Sequence, residues 1–403
     1  MIAAGESVTY AELHAAADHL ARRLAARGVG AGDVVATTLP AGRSFVELLH
    51  ALPRLGAALA PLDPRAPARV AAALTVSEPL EGKEDDTLLR DSVDPEAAHS
   101  ILHTSGTSGR PKQVALSYAN HAASAAAAAD HLGLGPGDRW LCPLPLFHVG
   151  GLAVLVRSAI YATTALVHDG FDEAAARESL ESGEASLASF VPTMLGRLRD
   201  VGLRSAPALR AALLGGGPIP RGLVEWAAGQ GLPVVPVYGM TESCSHVVAG
   251  TPGRPLRGVE LSIGADGEIL VRGPMVARGS MAADGWLHTG DRGRLDGDGL
   301  LHVDGRIKEL IVTGGENVAP AEVEEALLSH RAVADAAVLG LPDPEWGEAV
   351  TAFVVLREPV GEAALIEHCR ARLAPFKLPK RVEPVAGLPR NRAGKLLRDE
   401  IVP

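Results

Sequence analysis

The spacing of apolar residues near the start of the chain predicts an amphipathic helix. Over residues 7–28 they recur every three or four positions, which places them on one helical face. These positions are Leu13, Ala17, Leu20 and Leu24. Thr9 is a candidate N-cap and Gly28 a stop signal, so both ends of the helix are predicted.

Shorter apolar runs then alternate with stretches of helical spacing. Residues 33–39 are typical of a buried strand, residues 44–55 of a second helix and residues 57–62 of a short strand. Four later runs, "ATTALVHDGFD", "ASLASFVP", "AALLGGGPIP" and "LPVVPVYGMTES", each end in glycine, proline or polar residues. The alternation predicts an α/β fold whose parallel strands deliver loops to one sheet edge, where such proteins bind ligands.

Two segments depart from this alternation. Residues 79–98 are acidic and bounded by prolines, which predicts a surface connection. After Trp286 the pattern becomes hairpin-like, and Asp-Gly pairs at Asp296, Asp298 and Asp304 predict turns. The large unit therefore combines layered α/β sheets with a small β-rich part.

The end of the chain has the pattern of a smaller α+β unit. It begins at Glu309 and contains a helix over residues 321–329, whose predicted first turn carries Glu322 and Glu324. Negative charge suits the positive end of a helix. We place the domain boundary at residues 306–308, between an N-terminal domain of residues 1–306 and a C-terminal domain of residues 307–403.

Composition narrows the class of protein. A chain of 403 residues usually needs more than one core, and its net charge of −10 disfavours a nucleic-acid binder that works through a basic face. Cys142, Cys244 and Cys369 lie too far apart for a metal motif, which indicates a reducing compartment. Without a signal-peptide pattern or an apolar run long enough for a membrane span, we expect a cytoplasmic, soluble protein. The sequence leaves open whether the chain forms a homodimer.

The stretch "HTSGTSGRPKQV", residues 103–114, is the first candidate for chemistry. Backbone N–H groups of a glycine-rich turn can surround phosphate oxygens, and a nearby lysine adds positive charge. Gly106 and Gly109 are three residues apart and Gln113 follows Lys112, so the spacing does not match the Walker A pattern. On this segment alone, a phosphate site and an ordinary surface turn are equally good interpretations.

Three further stretches each allow a functional and an ordinary interpretation. In "YGMTE", Tyr238 could stack on a base and Glu242 could hold Mg²⁺, or the segment could be a capped helix start. In "HTGD", Asp291 sits in a predicted tight turn, where it could accept ribose hydroxyls or form an Asx turn. The cationic "PRNRAGK" near the end could be catalytic or a solvated tail.

Together, and in this order, the stretches resemble the adenylate-forming superfamily of acyl-CoA synthetases, peptide-synthetase adenylation domains and luciferases. The resemblance covers nearly the whole chain and includes "GGGPIP" and "GRIKELIVTGGENVAPAEVEEAL". It implies an enzyme that uses ATP and Mg²⁺ to activate a small carboxylic acid and then transfers the acyl group to the thiol of coenzyme A. It also implies that the C-terminal domain is mobile and rotates between the two half-reactions about a hinge.

The resemblance assigns roles residue by residue. Implied nucleotide contacts are Thr104, Ser105, Gly106, Thr107, Ser108, Gly109, Lys112, Gly216, Gly217, Pro218, Tyr238, Gly239, Met240, Thr241, Asp291 and Arg306. Implied catalytic residues are Lys395, Lys112, His148 and Glu242, with Glu242 and Thr241 at the metal. Lys308 takes the hinge position, and Gly314, Gly315 and Asn317 line the thiol channel.

For the acid, residues 138–172 and "YGMTESCSHVV" resemble the o-succinylbenzoate-CoA ligases of menaquinone synthesis. Candidate acyl-pocket residues are His148, Arg157, Ser189, Arg197, Ser243 and Ser245. A helix-capping role for His148 and solvated positions for the arginines are the alternatives. Another aryl or fatty acid, a carrier-protein thiol as acceptor, and a non-catalytic nucleotide-binding protein on the same fold also stay open.

Two departures from the superfamily pattern concern the N-terminal domain. The chain is short for the superfamily, and residues 81–96 take the place of a longer piece. Gln113 stands where glycine is more usual. Neither change falls on an implied catalytic position, but the shortened segment could alter the pocket rim or a subunit contact.

Overall fold

The computed structural model describes residues 1–3, 5–65, 70–104, 112–390 and 396–401. Its helices are α1 (Tyr10–Ala25), α2 (Arg43–Leu55), α3 (Tyr118–Leu132), α4 (Val149–Tyr161), α5 (Glu173–Glu181), α6 (Pro192–Asp200), α7 (Arg221–Gly229), α8 (Pro320–Leu328) and α9 (Glu362–Arg370). In the described part of the chain, no helix is both long and apolar enough to cross a membrane.

From residue 112 the strands alternate with the helices up to α7, and the next nine strands follow one another before α8. Up to that point they are β1 (Ile2–Ala3), β2 (Glu6–Ser7), β3 (Val34–Thr37), β4 (Ala58–Pro61), β5 (Leu74–Val76), β6 (Ala98–Thr104), β7 (Lys112–Ser117), β8 (Arg139–Cys142), β9 (Thr164–Val167), β10 (Leu187–Phe190) and β11 (Ala211–Leu214). The later strands are β12 (Val234–Met240), β13 (Ser245–Gly250), β14 (Gly253–Pro255), β15 (Glu260–Ile263), β16 (Glu268–Arg272), β17 (Leu287–Leu295), β18 (Leu301–Arg306), β19 (Ile311–Thr313), β20 (Glu316–Val318), β21 (Val333–Asp343), β22 (Gly347–Leu356) and β23 (Arg381–Pro384).

The first predicted helix is confirmed as α1. Thr9 caps it, because the Glu12 backbone N–H donates to the Thr9 hydroxyl at 3.2 Å and the Thr9 N–H donates to the Glu12 carboxylate at 2.9 Å. This reciprocal pair satisfies two donors that a helix start otherwise leaves free. The predicted apolar positions Leu13, Ala17, Leu20 and Leu24 are all buried.

The predicted parallel strands are also confirmed. Strands β9, β8, β10, β11 and β12 lie side by side in parallel, in that order. Residues Phe190, Leu214 and Pro236 pair across β10, β11 and β12, so the carboxyl ends of these strands meet at one edge. A second sheet, in the order β5-β3-β4-β6-β7, contains the two early predicted strands as β3 and β4.

The hairpin region is predicted correctly at two positions and wrongly at a third. Asp296 and Asp298 lie in the turn between β17 and β18, where the Asp296 carboxylate accepts the Asp298 and Leu300 N–H groups. Asp304 instead lies inside β18, and Gly305 pairs with Arg292 of β17. The Asp-Gly pair therefore continues the ladder rather than turning the chain.

The surface connection over residues 79–98 carries no helix or strand before β6 begins at Ala98. The arginines of α1 and the following turn hold it, because Arg23 donates to the Leu80 carbonyl at 3.3 Å and Arg27 to the Glu81 carbonyl at 2.6 Å. Leu88 is almost fully exposed. The acidic segment is thus a surface connection, as predicted, and Arg23 and Arg27 fasten it beside α1.

The C-terminal unit has its own sheet, in the order β20-β19-β22-β21 with β23 beside β22, and its own apolar cluster that begins at Ile311. Helix α8 starts one residue earlier than predicted, and Glu322 lies in its first turn. The prediction for Glu324 is wrong. Glu324 is buried, and its carboxylate accepts the Val338 N–H at 2.8 Å, because this position faces the sheet.

Candidate active site

The predicted phosphate loop leaves β6 and returns on β7. Thr104 ends β6 and Lys112 begins β7; the two residues are paired, and the Thr104 hydroxyl donates to the Lys112 carbonyl at 3.4 Å. Lys112 is exposed. The five predicted contacts between them, Ser105, Gly106, Thr107, Ser108 and Gly109, lie outside the described residues, as does Lys395.

A short 3-10 turn, Thr241–Ser243, joins β12 to β13 and carries Thr241 and Glu242. Among the described residues, the Glu242 carboxylate has no hydrogen-bond or ion-pair partner, while its backbone carbonyl accepts the Ala277 N–H at 2.8 Å. Before the turn, Gly239 packs so closely that an added Cβ would lie 2.2 Å from the Ser245 carbonyl oxygen. Glycine is therefore required there for the strands to approach.

The predicted ribose residues are brought together beside Tyr238. The Tyr238 hydroxyl donates to Asp291 Oδ2 at 2.8 Å, and Arg306 Nε lies 2.9 Å from Asp291 Oδ1. Burial, and then the Asp291 carboxylate, raise the pKa of Tyr238 above its ordinary value, so the phenol stays protonated and donates.

Asp291 itself lies in strand β17, opposite Arg306 of β18, so its prediction as a tight-turn residue is wrong. The antiparallel ladder places its carboxylate beside the Arg306 guanidinium, and the residue is 6% exposed. The Arg306 Nη1 group also donates to the Thr289 carbonyl at 3.0 Å. A sheet, rather than a local turn, therefore sets the direction of the carboxylate.

The glycine segment after β11 lies next to this group. Gly216, Gly217 and Pro218 are exposed at the carboxyl end of β11, and a Cβ on Gly215 would meet Val237 of β12. Met240 closes β12. The backbone of this segment and the Tyr238 ring therefore occupy neighbouring strand ends, an arrangement that can accommodate a flat base.

Arg157 is the most unusual of the acyl-pocket candidates. It is 2% exposed, its Nη2 donates to the Ser124 hydroxyl at 2.9 Å, and its Nε has no partner among the described residues. The guanidinium lies 5.9 Å from the centroid of the Trp140 ring. Burial lowers the pKa of Arg157 to about 10, which still leaves it charged at neutral pH. The alternative of a solvated arginine is therefore wrong for this residue.

The remaining acyl-pocket candidates are placed differently. His148 precedes α4 without a capping hydrogen bond from its side chain, and burial lowers its pKa. Ser189 accepts the Trp140 indole N–H at 3.0 Å, and the Ser243 hydroxyl accepts the Met240 N–H at 3.0 Å. Arg197 is exposed and ion-paired with Glu173. Ser245 adopts a left-handed backbone with φ of 91°.

In the C-terminal unit, Lys308 is exposed in the 3-10 turn Ile307–Glu309. Gly314 and Gly315, with φ of 58° and 84°, form the turn between β19 and β20, and Asn317 follows on β20. This backbone conformation favours glycine.

Two residues beside this turn were missed at the level of sequence. The Trp346 ring covers Gly314, and Lys380 Nζ lies 4.2 Å from the centroid of that ring. The contact joins Trp346, the residue before β22, to Lys380, the residue before β23, and these two residues lie far apart in the sequence. A tryptophan in a polar turn was the only local signal.

Arginines on each side of the predicted lysine loop are fastened to the sheet. Before it, Arg390 Nη2 lies 2.7 Å from Asp335 Oδ1 of β21. After it, Arg398 lies 2.7 Å from Glu324 and 2.9 Å from Glu309, beside the predicted hinge. Both arginines were missed, because nothing local distinguishes them from solvated charges.

Family models match most of the chain. The model described as AMP-binding enzyme matches residues 1–79 and 70–281, and the model described as AMP-binding enzyme C-terminal domain matches residues 322–395. The two matches fall on the large and the small unit.

Curated relatives align over nearly the full length. The chain is 36% identical to the 2-succinylbenzoate–CoA ligase of Bacillus subtilis (strain 168), over 98% of this chain and 93% of that protein. It is 40% identical to the ligase of the same name from Geobacillus kaustophilus (strain HTA426), over 98% of this chain and 92% of that protein.

Solved structures agree in fold. The o-succinylbenzoate CoA synthetase of Bacillus subtilis in complex with the acyl-adenylate intermediate OSB-AMP superposes with a TM-score of 0.90, at 36% identity, covering 99% of this chain and 94% of that one. The same synthetase in complex with ATP and magnesium ion superposes with a TM-score of 0.88, at 35% identity, covering 99% and 95%.

Proposed function

Since the chain belongs to the AMP-binding enzyme family, we propose that it is an ATP-dependent acid–thiol ligase whose acid is o-succinylbenzoate. It joins the acid to AMP with release of pyrophosphate, and then transfers the acyl group to coenzyme A with release of AMP. The observation that carries this proposal is the likeness to 2-succinylbenzoate–CoA ligases over 98% of the chain. The proposed setting is the cytoplasm, where ATP and coenzyme A are available.

The nucleotide lies at the sheet edge where the carboxyl ends of the parallel strands meet. The base stacks on Tyr238 beside Gly216 and Gly217, and the ribose hydroxyls are held by Asp291. Arg306 and the Tyr238 hydroxyl keep that carboxylate oriented, at 2.9 and 2.8 Å. An ionised carboxylate has about four lone-pair directions, so one aspartate can accept hydrogen bonds from several donors.

The first step needs positive charge in the site, because a negatively charged carboxylate attacks a negatively charged polyphosphate. Lysine side chains reduce the repulsion between the two anions and hold them in line. Lys112, exposed at the start of β7, binds the departing pyrophosphate. Lys395 is assigned to the reacting carboxylate. No general base is needed, since the acid is already ionised at neutral pH.

The residues of the turn after β12 fit a magnesium ion. Mg²⁺ usually takes one or two carboxylates together with substrate phosphates, and the Glu242 carboxylate has no partner among the described residues. Glu242 and Thr241 would hold the ion. When bound, the ion would neutralise phosphate charge.

Arg157 supports a dicarboxylic acid as substrate. A buried charge is normally paired, yet Arg157 has a serine hydroxyl and no carboxylate among its described partners. The carboxylate of o-succinylbenzoate that does not react would complete the pair at Arg157 Nε. His148 lies nine residues earlier, at the start of the same helix, and forms part of the pocket wall.

The thiol step belongs to the C-terminal domain. We place the boundary at residues 306–308, with Lys308 as hinge, because the second apolar cluster begins only at Ile311. The turn with Gly314, Gly315 and Asn317 lines the thiol channel. The exposed Trp346 beside it, with Lys380 over its ring, offers an aromatic face and a cation for the nucleotide end of coenzyme A.

The reaction is tested by its two halves. Acid-dependent exchange of pyrophosphate into ATP is measured with a panel of aromatic and aliphatic acids, and o-succinylbenzoate should give the fastest exchange. Lys395→Ala should abolish exchange while still forming thioester from a supplied acyl-adenylate. Equal loss of both halves contradicts the two-state scheme, and the absence of exchange with every acid favours a non-catalytic nucleotide-binding protein.

The acid assignment has its own test. Arg157→Gln should raise the half-saturating concentration of o-succinylbenzoate at least tenfold, since a buried charge pair loses one partner. A monocarboxylic keto-acid analogue should be affected less than threefold. Equal changes for both acids would show that Arg157 does not distinguish a second carboxylate. Light scattering of the purified chain decides whether the enzyme is a homodimer.

A further inference from the structure

The backbone that follows Glu242 is strained. Cys244 and Ser245, consecutive non-glycine residues, have φ of 51° and 91° in the left-handed region. Side chains with a Cβ seldom adopt this conformation, and it persists only where surrounding structure imposes it.

Helix α3 lies against this turn and supplies the contact. The Ser124 hydroxyl donates to the Cys244 carbonyl at 2.7 Å, and Ser124 is 3% exposed. His121 of the same helix lies 3.4 Å from the Cys244 sulfur. Helix and turn are 120 residues apart in sequence, so only the tertiary structure brings them together.

The same helix also holds the segment that closes over the turn. The Asn120 side-chain amide donates to the Pro274 carbonyl at 2.9 Å and to the Val276 carbonyl at 3.0 Å. The next residue, Ala277, donates its N–H to the Glu242 carbonyl. Asn120 and Ser124 are four residues apart, on one face of α3. Ser124 thus contacts the turn itself, and Asn120 contacts the segment that is bonded to Glu242.

Arg157 fixes the direction of the Ser124 hydrogen bond. A guanidinium can only donate, so its 2.9 Å contact requires the Ser124 oxygen to accept. A serine hydroxyl has one proton, and that proton is then left for the Cys244 carbonyl. A hydrogen bond to a charged donor is also stronger than one between neutral groups. The orientation is therefore determined, although the hydroxyl could otherwise rotate.

We propose that Ser124 is a positioning residue that holds the strained turn and thereby directs the Glu242 carboxylate toward the metal and phosphates. It touches neither substrate nor metal. The inference rests on the proposed function in one respect, the role of Glu242 at magnesium. The geometry that carries it, a buried hydroxyl bonded to the carbonyl of a strained residue, is independent of that role.

The test measures ATP binding to the full chain by titration calorimetry, with and without Mg²⁺ and with no acid present. Ser124→Ala should weaken ATP binding about tenfold in Mg²⁺ and leave binding in EDTA within twofold. Ser124→Thr, which keeps the hydroxyl, should restore the wild-type value. The matched control is Ser158→Ala, which removes another buried serine hydroxyl, bonded to Thr163 at 3.0 Å, from a neighbouring helix.

Amide hydrogen exchange of the turn gives a second readout that needs no ligand. Amides of residues 240–247 should exchange about tenfold faster in Ser124→Ala and unchanged in Ser158→Ala. Equal effects of the two alanine variants, or wild-type binding and exchange in Ser124→Ala, would overturn the positioning role. If wild-type ATP affinity does not respond to Mg²⁺, the metal assignment of the proposed function fails instead, and the exchange measurement decides for Ser124.

Discussion

Arg398 and Glu324 form a buried ion pair whose removal has a calculable effect. Their side chains are 14% and 9% exposed, and the closest atoms are 2.7 Å apart. Arg398 also donates to the Val338 carbonyl at 2.9 Å, while Glu324 accepts the Val338 N–H at 2.8 Å. Replacing Arg398 with methionine keeps an apolar stem but leaves the Glu324 carboxylate buried without its counter-charge.

In Arg398→Met the free energy of opening α8 and β21 should fall by about 3–5 kcal/mol, the usual cost of leaving one buried charge unpaired. In Arg398→Met/Glu324→Gln both charges are gone, while the amide oxygen still accepts the Val338 N–H. The double variant should therefore lose only about 1–2 kcal/mol, the value of one or two ordinary hydrogen bonds. At 1.36 kcal/mol per tenfold, the single change corresponds to roughly 150- to 5000-fold in the opening equilibrium.

Hydrogen exchange of peptides covering α8 and β21 measures this opening in the full chain. The control is Arg331→Met, since Arg331 forms an ion pair with Glu358 in the same unit with side chains 88% and 52% exposed. That variant should change little, because exposed pairs contribute about 0–1 kcal/mol. Equal exchange in the single and double variants would refute the reasoning, as would an equal effect of Arg331→Met.

Three further predictions address the site and the pH dependence. Asp291→Asn should raise the half-saturating ATP concentration in the exchange assay at least tenfold, because it removes the charge that faces Arg306; an unchanged value would exclude the ribose role. Burial lowers the pKa of His99 to about 4, whereas a histidine in the unfolded chain has a pKa of about 6.5. As the pH is lowered, the unfolded chain therefore takes up the proton first, and the stability of the folded protein falls between about pH 6.5 and 4. His99→Phe should flatten that part of the melting-temperature profile, and parallel profiles would show that His99 is not responsible. Gly314→Val should slow thioester formation from a supplied acyl-adenylate and leave pyrophosphate exchange within about twofold. The reason is that the φ of 58° and the Trp346 ring, 3.2 Å from an added Cβ, exclude a branched side chain at this position. Equal loss in both half-reactions would contradict the assignment of Gly314 to the thiol channel.

Local patterns were sufficient for much of the fold. The capping box at Thr9, the apolar face of α1 and the short apolar runs of β9 to β12 all act between residues close in sequence. Such signals can be recognised in the sequence without knowing which strands pair with one another. The order of the stretches "HTSGTSGRPKQV", "GGGPIP", "YGMTE" and "HTGD" likewise predicted a nucleotide site from the sequence.

Burial and pairing partners were decided only by the tertiary structure. Asp304 and Asp291 resemble turn residues locally, yet the antiparallel partner strands place both in ladders. Glu324 resembles a helix-start charge, but packing of α8 on β21 buries it against Arg398. Solvation of a side chain depends on what covers it, and the covering residues lie far away in sequence.

The same reason separates the two arginines proposed for the acyl pocket. Sequence placed Arg157 and Arg197 on equal terms, as cations on helices near the acyl region. Packing of α3 and α4 buries Arg157 against Ser124, whereas Arg197 stays exposed beside Glu173. The sequence by itself determined the elements and the residue types available for chemistry. Only the tertiary structure decided which charges lose their water, and a charge without water is the one that must find a partner.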